Sequence, residues 1–141
     1  MNFIFAKLYE EYKRKNDPAK FNITLYITIV YFFLTFAFVI PIKSILGKDL
    51  FYNEIEYGKS IIITVVFLVF GAIVCLVYYF YIRKNYIEIL TKKFKDKKIN
   101  KTILYIIVPL LPLSIFLIAG ATAVYINGGE ILGHKIHGIL K

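Results

Sequence analysis

The stretch IIITVVFLVFGAIVCLVYYFYI, residues 61–82, holds no Asp, Glu, Lys, Arg or His. A helix rises about 1.5 Å per residue, so roughly 20 apolar residues cross a hydrocarbon core about 30 Å thick. The stretch is long enough, and it is apolar on every side. A surface helix of a soluble protein would instead show a polar face on a 3.6-residue period. Residues 21–42 and 103–126 have the same character, again with no ionisable acid, base or histidine inside them. The Ile, Val, Leu and Phe that fill these stretches each favour insertion by about 0.3 to 0.6 kcal/mol near the helix centre. Three transmembrane helices in one membrane domain, 1–141, are therefore expected, and the fold class is an all-α integral membrane protein.

Composition agrees with the spans. Hydrophobic residues make up 59% and charged residues 19% of the 141, where a soluble domain carries about 25% charged. Cys75 is the sole cysteine, which rules out an internal disulfide and a cysteine-based zinc site. Sixteen of the eighteen basic residues are lysine, and Ile, Phe, Tyr and Asn are abundant; this usage points to an AT-rich, bacterial coding sequence.

The net charge of +9 is unevenly distributed. Lys and Arg number five before the first span, three in the loop 43–60, eight in 83–102 and two after the third span. Thirteen thus lie on one side and five on the other, and basic loops stay in the cytoplasm. The N-terminus is expected inside and the C-terminus outside, in a bacterial cytoplasmic (inner) membrane. Tyr26, Tyr78, Tyr79, Tyr81 and Tyr105 would form the inner aromatic belt, Tyr57 and Tyr125 the outer one. Residues 1–20 lack the apolar core and cleavage site of a signal peptide.

Outside the spans, residues 1–17 carry an amphipathic helix. Phe5, Leu8, Tyr9 and Tyr12 share one face and Lys7, Glu10, Glu11 and Arg14 the other, a pattern that suits a helix lying in the membrane interface. Glu10 with Arg14 and Glu11 with Lys15 are expected to pair at i, i+4. Asp17-Pro18 reads as a helix start, which puts the first span at 18–42 with Pro41 near its end. The outer loop, 43–60, has an aromatic middle, Leu50 to Tyr57, suited to headgroups or to recognition. Tyr86, Ile87, Leu90 and Phe94 extend the second helix to about residue 95, within the basic loop 83–102. Lys92, Lys93, Lys95, Lys97, Lys98 and Lys101 form a polybasic segment that fits membrane lipid with anionic headgroups or an acidic partner, or serves only to set topology. Nucleic acid is not expected, because no groove-reading or base-stacking module accompanies the charge.

Within the spans, Thr24, Thr28, Tyr31 and Thr35 fall on one face of the first helix, and Ser60, Thr64, Gly71 and Cys75 on one face of the second. Lipid gives helices no hydrophobic reason to associate, so small side chains and interhelical hydrogen bonds must supply it. The two stripes are expected to face each other, with the Tyr31 hydroxyl bonded across the interface; a polar permeation path is the other use for them. Ala119 and Ala123 add a small-xxx-small spacing to the third helix, which Pro109 and Pro112 should bend. The tail 127–141 reads as a short surface helix with Glu130, His134 and His137 on one face, a solvated face or three ligands without a fourth.

No nucleophile-base-acid set, phosphate-cradling glycine loop or intramembrane carboxylate pair is present, so an enzyme is not expected and no cofactor or metal is implied. A short amphipathic lead, three spans and the Tyr86-Ile87-Glu88-Ile89-Leu90 to Lys101 basic extension resemble small three-span membrane proteins of AT-rich bacterial genomes. Some of those accompany toxins, so the resemblance implies an immunity role. Two functions remain open: a binding protein (accessory subunit, regulator or immunity protein) engaging a membrane-protein partner or a second copy of itself, and a homo-oligomeric pore or small-solute carrier.

Overall fold

The computed structural model describes residues 1–46, 59–131 and 134–138. The described residues form helices α1 (Asn2–Arg14), α2 (Ala19–Leu46), α3 (Lys59–Val77), α4 (Tyr86–Lys93) and α5 (Lys101–Asn127), and a hairpin of β1 (Gly129–Ile131) with β2 (His134–Ile136). Three stretches are long and apolar enough to cross a membrane: Ala19–Val39, Ile63–Arg83 and Lys101–Ile126. The chain is a multi-pass, helical membrane protein by that measure. The aromatic loop segment Leu50 to Tyr57 lies outside the described residues.

α2 is the central helix. It packs along α5 and against α3 and α1, and 33% of its span is buried, against 11% for α5 and 6% for α3. α3 leaves Ile63, Phe67 and Leu68 exposed, as an apolar helix facing lipid tails can. The core lies at the end where α1, the start of α2, the end of the second span and α4 meet. Phe5, Leu8, Tyr9, Ile23, Ile27, Val30, Ile87 and Leu90 are all buried there.

Two asparagines make the turns at this end. Asn16 ends α1 at φ 58°, with its amide bonded to the Lys13 carbonyl and the Asp17 amide to the Tyr12 carbonyl. This is the paired-bond C-cap usually built on glycine, and asparagine is the side chain that best tolerates the left-handed region. Asn85, at φ 53° with its amide bonded to the Ile82 carbonyl, takes the same left-handed conformation and breaks the helix expected to run on to residue 95. Before that break the second span widens into a π-helical segment, Tyr78–Arg83, a form that recurs at special sites in helices. It carries Tyr81 and Ile82 into the core.

Several sequence expectations differ from the fold. α2 continues through Pro41 to Leu46, since a proline removes one amide without preventing a membrane helix from re-satisfying its backbone. α5 also stays one helix through Pro109 and Pro112, which is consistent with the bend expected there. The tail is a hairpin, because Gly128 stops α5 at φ 77°. A Cβ on Gly128 would sit 2.9 Å from the Gly138 nitrogen, so only glycine lets the returning strand approach. The register pairs Glu130 with Lys135 and Ile131 with His134, which puts positions 130 and 134 on alternate sides of the ladder. The helical face of Glu130, His134 and His137 is therefore not built.

A candidate anion-binding cleft at the basic end of the bundle

α1 is pinned across this end by its apolar stripe, which faces protein. Phe5 lies edge-on to Tyr26 at 5.9 Å and to Tyr81 at 6.2 Å, and Phe3 to Phe94 at 5.5 Å. Phe5 and Tyr9 are wholly buried and Leu8 nearly so. With that face covered, Lys7, Glu10, Glu11 and Arg14 must point the other way.

They form one wall of a cavity of about 320 Å³. The opposite wall is Lys95, Lys97, Lys98 and Ile99 from the α4–α5 connection with Lys101 and Leu104 from the first turn of α5. Of the six lysines marked in the polybasic segment, four thus line the cleft. Lys92 and Lys93 lie on α4 and do not. The polybasic segment alone pointed to half of the site; α1's contribution lay in the spacing 7, 10, 11, 14, which puts those residues on one helical face.

Ion pairs within α1 match its own charges. Lys7 Nζ lies 2.8 Å from Glu10 Oε2, and Arg14 bonds Glu11. Both are i, i+3 pairs, in place of the expected i, i+4 pairs Glu10 with Arg14 and Glu11 with Lys15; both spacings bring side chains together on a helix. The Tyr105 hydroxyl donates to Glu11 Oε1 at 3.0 Å, tying α1 to α5. Burial pushes the Glu11 carboxyl up, but the Tyr105 hydrogen bond, the Arg14 guanidinium and Lys101 together hold it below its ordinary value. Among the described residues no carboxylate pairs at ion-pair distance with Lys95, Lys98 or Lys101. The cleft is cationic as it stands.

α5 adds its N-terminus. Asn100 caps it, its side-chain oxygen accepting from the Thr102 amide at 3.0 Å, and the helix that follows is 27 residues long. The positive end of its dipole, about half an elementary charge, adjoins the cleft wall.

The membrane helices meet differently from the expected stripe-to-stripe contact. Thr24 and Thr28 are buried, but Thr24 donates to its own helix at Lys20 and Thr35 at Tyr31. Threonine's short hydroxyl reaches the i−4 carbonyl more readily than a neighbouring helix. Thr64, Gly71 and Cys75 are exposed, so that face of α3 is turned away from α2; Ser60 falls in the first turn of α3, and its side chain lies outside the described residues. Ala119 is buried and Ala123 partly so.

Tyrosines make the cross-links. The Tyr31 hydroxyl bonds across the interface as expected, to the Tyr81 hydroxyl at 2.9 Å. The Tyr26 hydroxyl donates to the Val108 carbonyl at 2.9 Å, and Val108 is the residue whose helical donor would be the amide that Pro112 lacks. Proline in α5 thus creates an acceptor, and a tyrosine of α2 occupies it. Tyr26 and Tyr81 are in the core, not in an aromatic belt, because a bonded hydroxyl can be buried.

Fold and cleft together define a small multi-pass helical membrane protein with a cationic pocket at one end. No family model matches the chain, and comparison with curated proteins and with solved structures gives no match.

Proposed function

We propose that the chain is a non-enzymatic integral membrane protein that acts by binding, as an accessory subunit, regulator or immunity protein, through the end of the bundle that carries the cleft. That end faces the cytoplasm of a bacterium in this reading, with the N-terminus inside and the C-terminus outside. Thirteen of eighteen basic residues fall on that side, and lysines resist translocation. α1 lies at the membrane boundary there, one face on the bundle and the other towards headgroups and solvent.

The observation that carries the proposal is the docking of α1. A terminal helix held by wholly buried Phe5 and Tyr9 offers a partner a surface of fixed shape, and preorganisation lowers the cost of association. A pore made from the Thr24–Thr35 stripe draws less support. Thr24 and Thr28 are buried and the Thr24 and Thr35 hydroxyls bond their own helix, so only the Tyr31–Thr35 end of the stripe is partly open.

The test is crosslinking in intact cells, then affinity purification of the full chain in mild detergent. One membrane partner, recovered in defined ratio and lost on α1 deletion, is expected. Recovery of this chain alone would overturn the proposal. Sidedness is tested separately: trypsin added to sealed cells should leave the chain uncut around Lys95.

A further inference from the structure

The cleft between α1 and the start of α5 has a size, a charge and a depth that together specify a ligand. Resting on the inner-face reading above and deepening it, we propose that the cleft is a binding site for the phosphate group of an anionic lipid headgroup.

Charge comes first. Lys95, Lys98 and Lys101 face the cavity without a carboxylate at ion-pair distance among the described residues. The two acids in the wall, Glu10 and Glu11, are each matched by a cation of α1. An anion entering the cleft therefore meets unmatched lysines and the positive end of α5. Helix N-termini and lysine ammonium groups are both established phosphate binders.

Depth distinguishes a lipid from a soluble anion. Leu104 lines the cleft and stands three residues inside a span that begins at Lys101, about 4.5 Å down the helix at 1.5 Å per residue. The headgroup layer is about 5 to 8 Å thick on each side. In the inner-face reading the cleft therefore opens where α5 enters the bilayer, beside the headgroup layer.

Size argues against an acidic protein surface. A volume of about 320 Å³ is at the small end of ligand sites, which run from about 300 to 1,000 Å³. It accommodates a phosphate with its glycerol, not a folded domain. The walls are also fixed to each other, by the Glu11–Tyr105 bond.

The experiment titrates full-length protein in neutral phosphatidylcholine nanodiscs with phosphatidylglycerol and cardiolipin, read by native mass spectrometry. Two double variants are compared, Lys98→Gln with Lys101→Gln inside the cleft and Lys92→Gln with Lys93→Gln on α4 outside it. Both remove two positive charges from one polybasic segment, and all four side chains are exposed. The cleft variant should bind anionic lipid at least about tenfold more weakly, the loss of one charge-assisted hydrogen bond to the phosphate, and the α4 variant within about threefold of wild type. Equal losses in both would show general surface attraction and overturn the site. Binding no tighter to anionic lipid than to phosphatidylcholine would overturn it too. Inorganic phosphate binding the protein in pure phosphatidylcholine nanodiscs more tightly than phosphatidylglycerol does would overturn the headgroup assignment in favour of a soluble anion. If the cleft variant loses the amide protection of α1, Lys95→Gln with Lys98→Gln replaces it and the same outcomes apply. Nanodiscs expose both faces, so this titration reads the site even if the partner search or the sidedness test fails.

Discussion

Replacing Tyr26 by phenylalanine removes one oxygen atom and, with it, the donor to the Val108 carbonyl. That carbonyl lies four residues before Pro112, so its own helix offers it no amide, and the tyrosine hydroxyl sits 2.9 Å away. A buried acceptor left without a partner costs about 1 to 3 kcal/mol. Interhelical hydrogen bonds measured in membranes average about 0.6 and reach about 1.7 kcal/mol. An acceptor with no other donor belongs at the upper part of that range, so Tyr26→Phe should cost about 1.5 kcal/mol. Pro112→Ala supplies the missing amide. In that background Tyr26→Phe should cost about 0.5 kcal/mol, a coupling of about 1 kcal/mol between two side chains on different helices. The assay is reversible unfolding in mixed micelles of the four proteins of the cycle. Equal costs of Tyr26→Phe in both backgrounds would refute the reasoning, since the hydroxyl would then be doing something other than filling the vacancy left by proline.

Phe5→Ala should cost about 3 to 5 kcal/mol, the usual range for a buried phenylalanine; because Phe5 joins α1 to Tyr26 and Tyr81, hydrogen exchange should show α1 deprotected while α2 and α5 stay protected. The docking of α1 should depend on acid. The Glu11 carboxyl is held below its ordinary 4.5 when folded, so its contribution is complete above that value and is lost as pH falls through the lowered one. Amide protection of α1 followed downward from neutral pH should decline in that window, and Glu11→Gln should flatten the decline. Gly71→Ala should be neutral or stabilising by up to about 1 kcal/mol, because a Cβ there meets nothing within 4 Å; a clear loss of stability in the same micelle assay would mean that this face of α3 is packed after all.

The extent of the membrane region was legible from the chain alone. The sequence predicts spans at 21–42, 61–82 and 103–126, and the structure has Ala19–Val39, Ile63–Arg83 and Lys101–Ile126. Insertion depends on a sum of transfer energies along one segment, and a sum of that kind needs no knowledge of neighbours. The two faces of α1 were legible for a similar reason, since helical spacing is local.

How each helix turns about its own axis was not legible. The threonines of α2 and the small residues of α3 both form stripes at helical spacing, yet Thr28 is buried and Cys75 exposed. On a helix that is apolar all round, no polar face marks the direction of lipid, so rotation is settled by contacts between distant residues. Here those contacts are Tyr26 with Val108, Tyr31 with Tyr81 and Glu11 with Tyr105. The last of these joins α1 to α5 across 94 residues of chain and so holds the two sides of the cleft together. Sequence by itself determined that this protein spans a membrane and where its positive charge gathers. Tertiary structure decided which charges share a cavity, because that depends on partners that local hydropathy and periodicity do not encode.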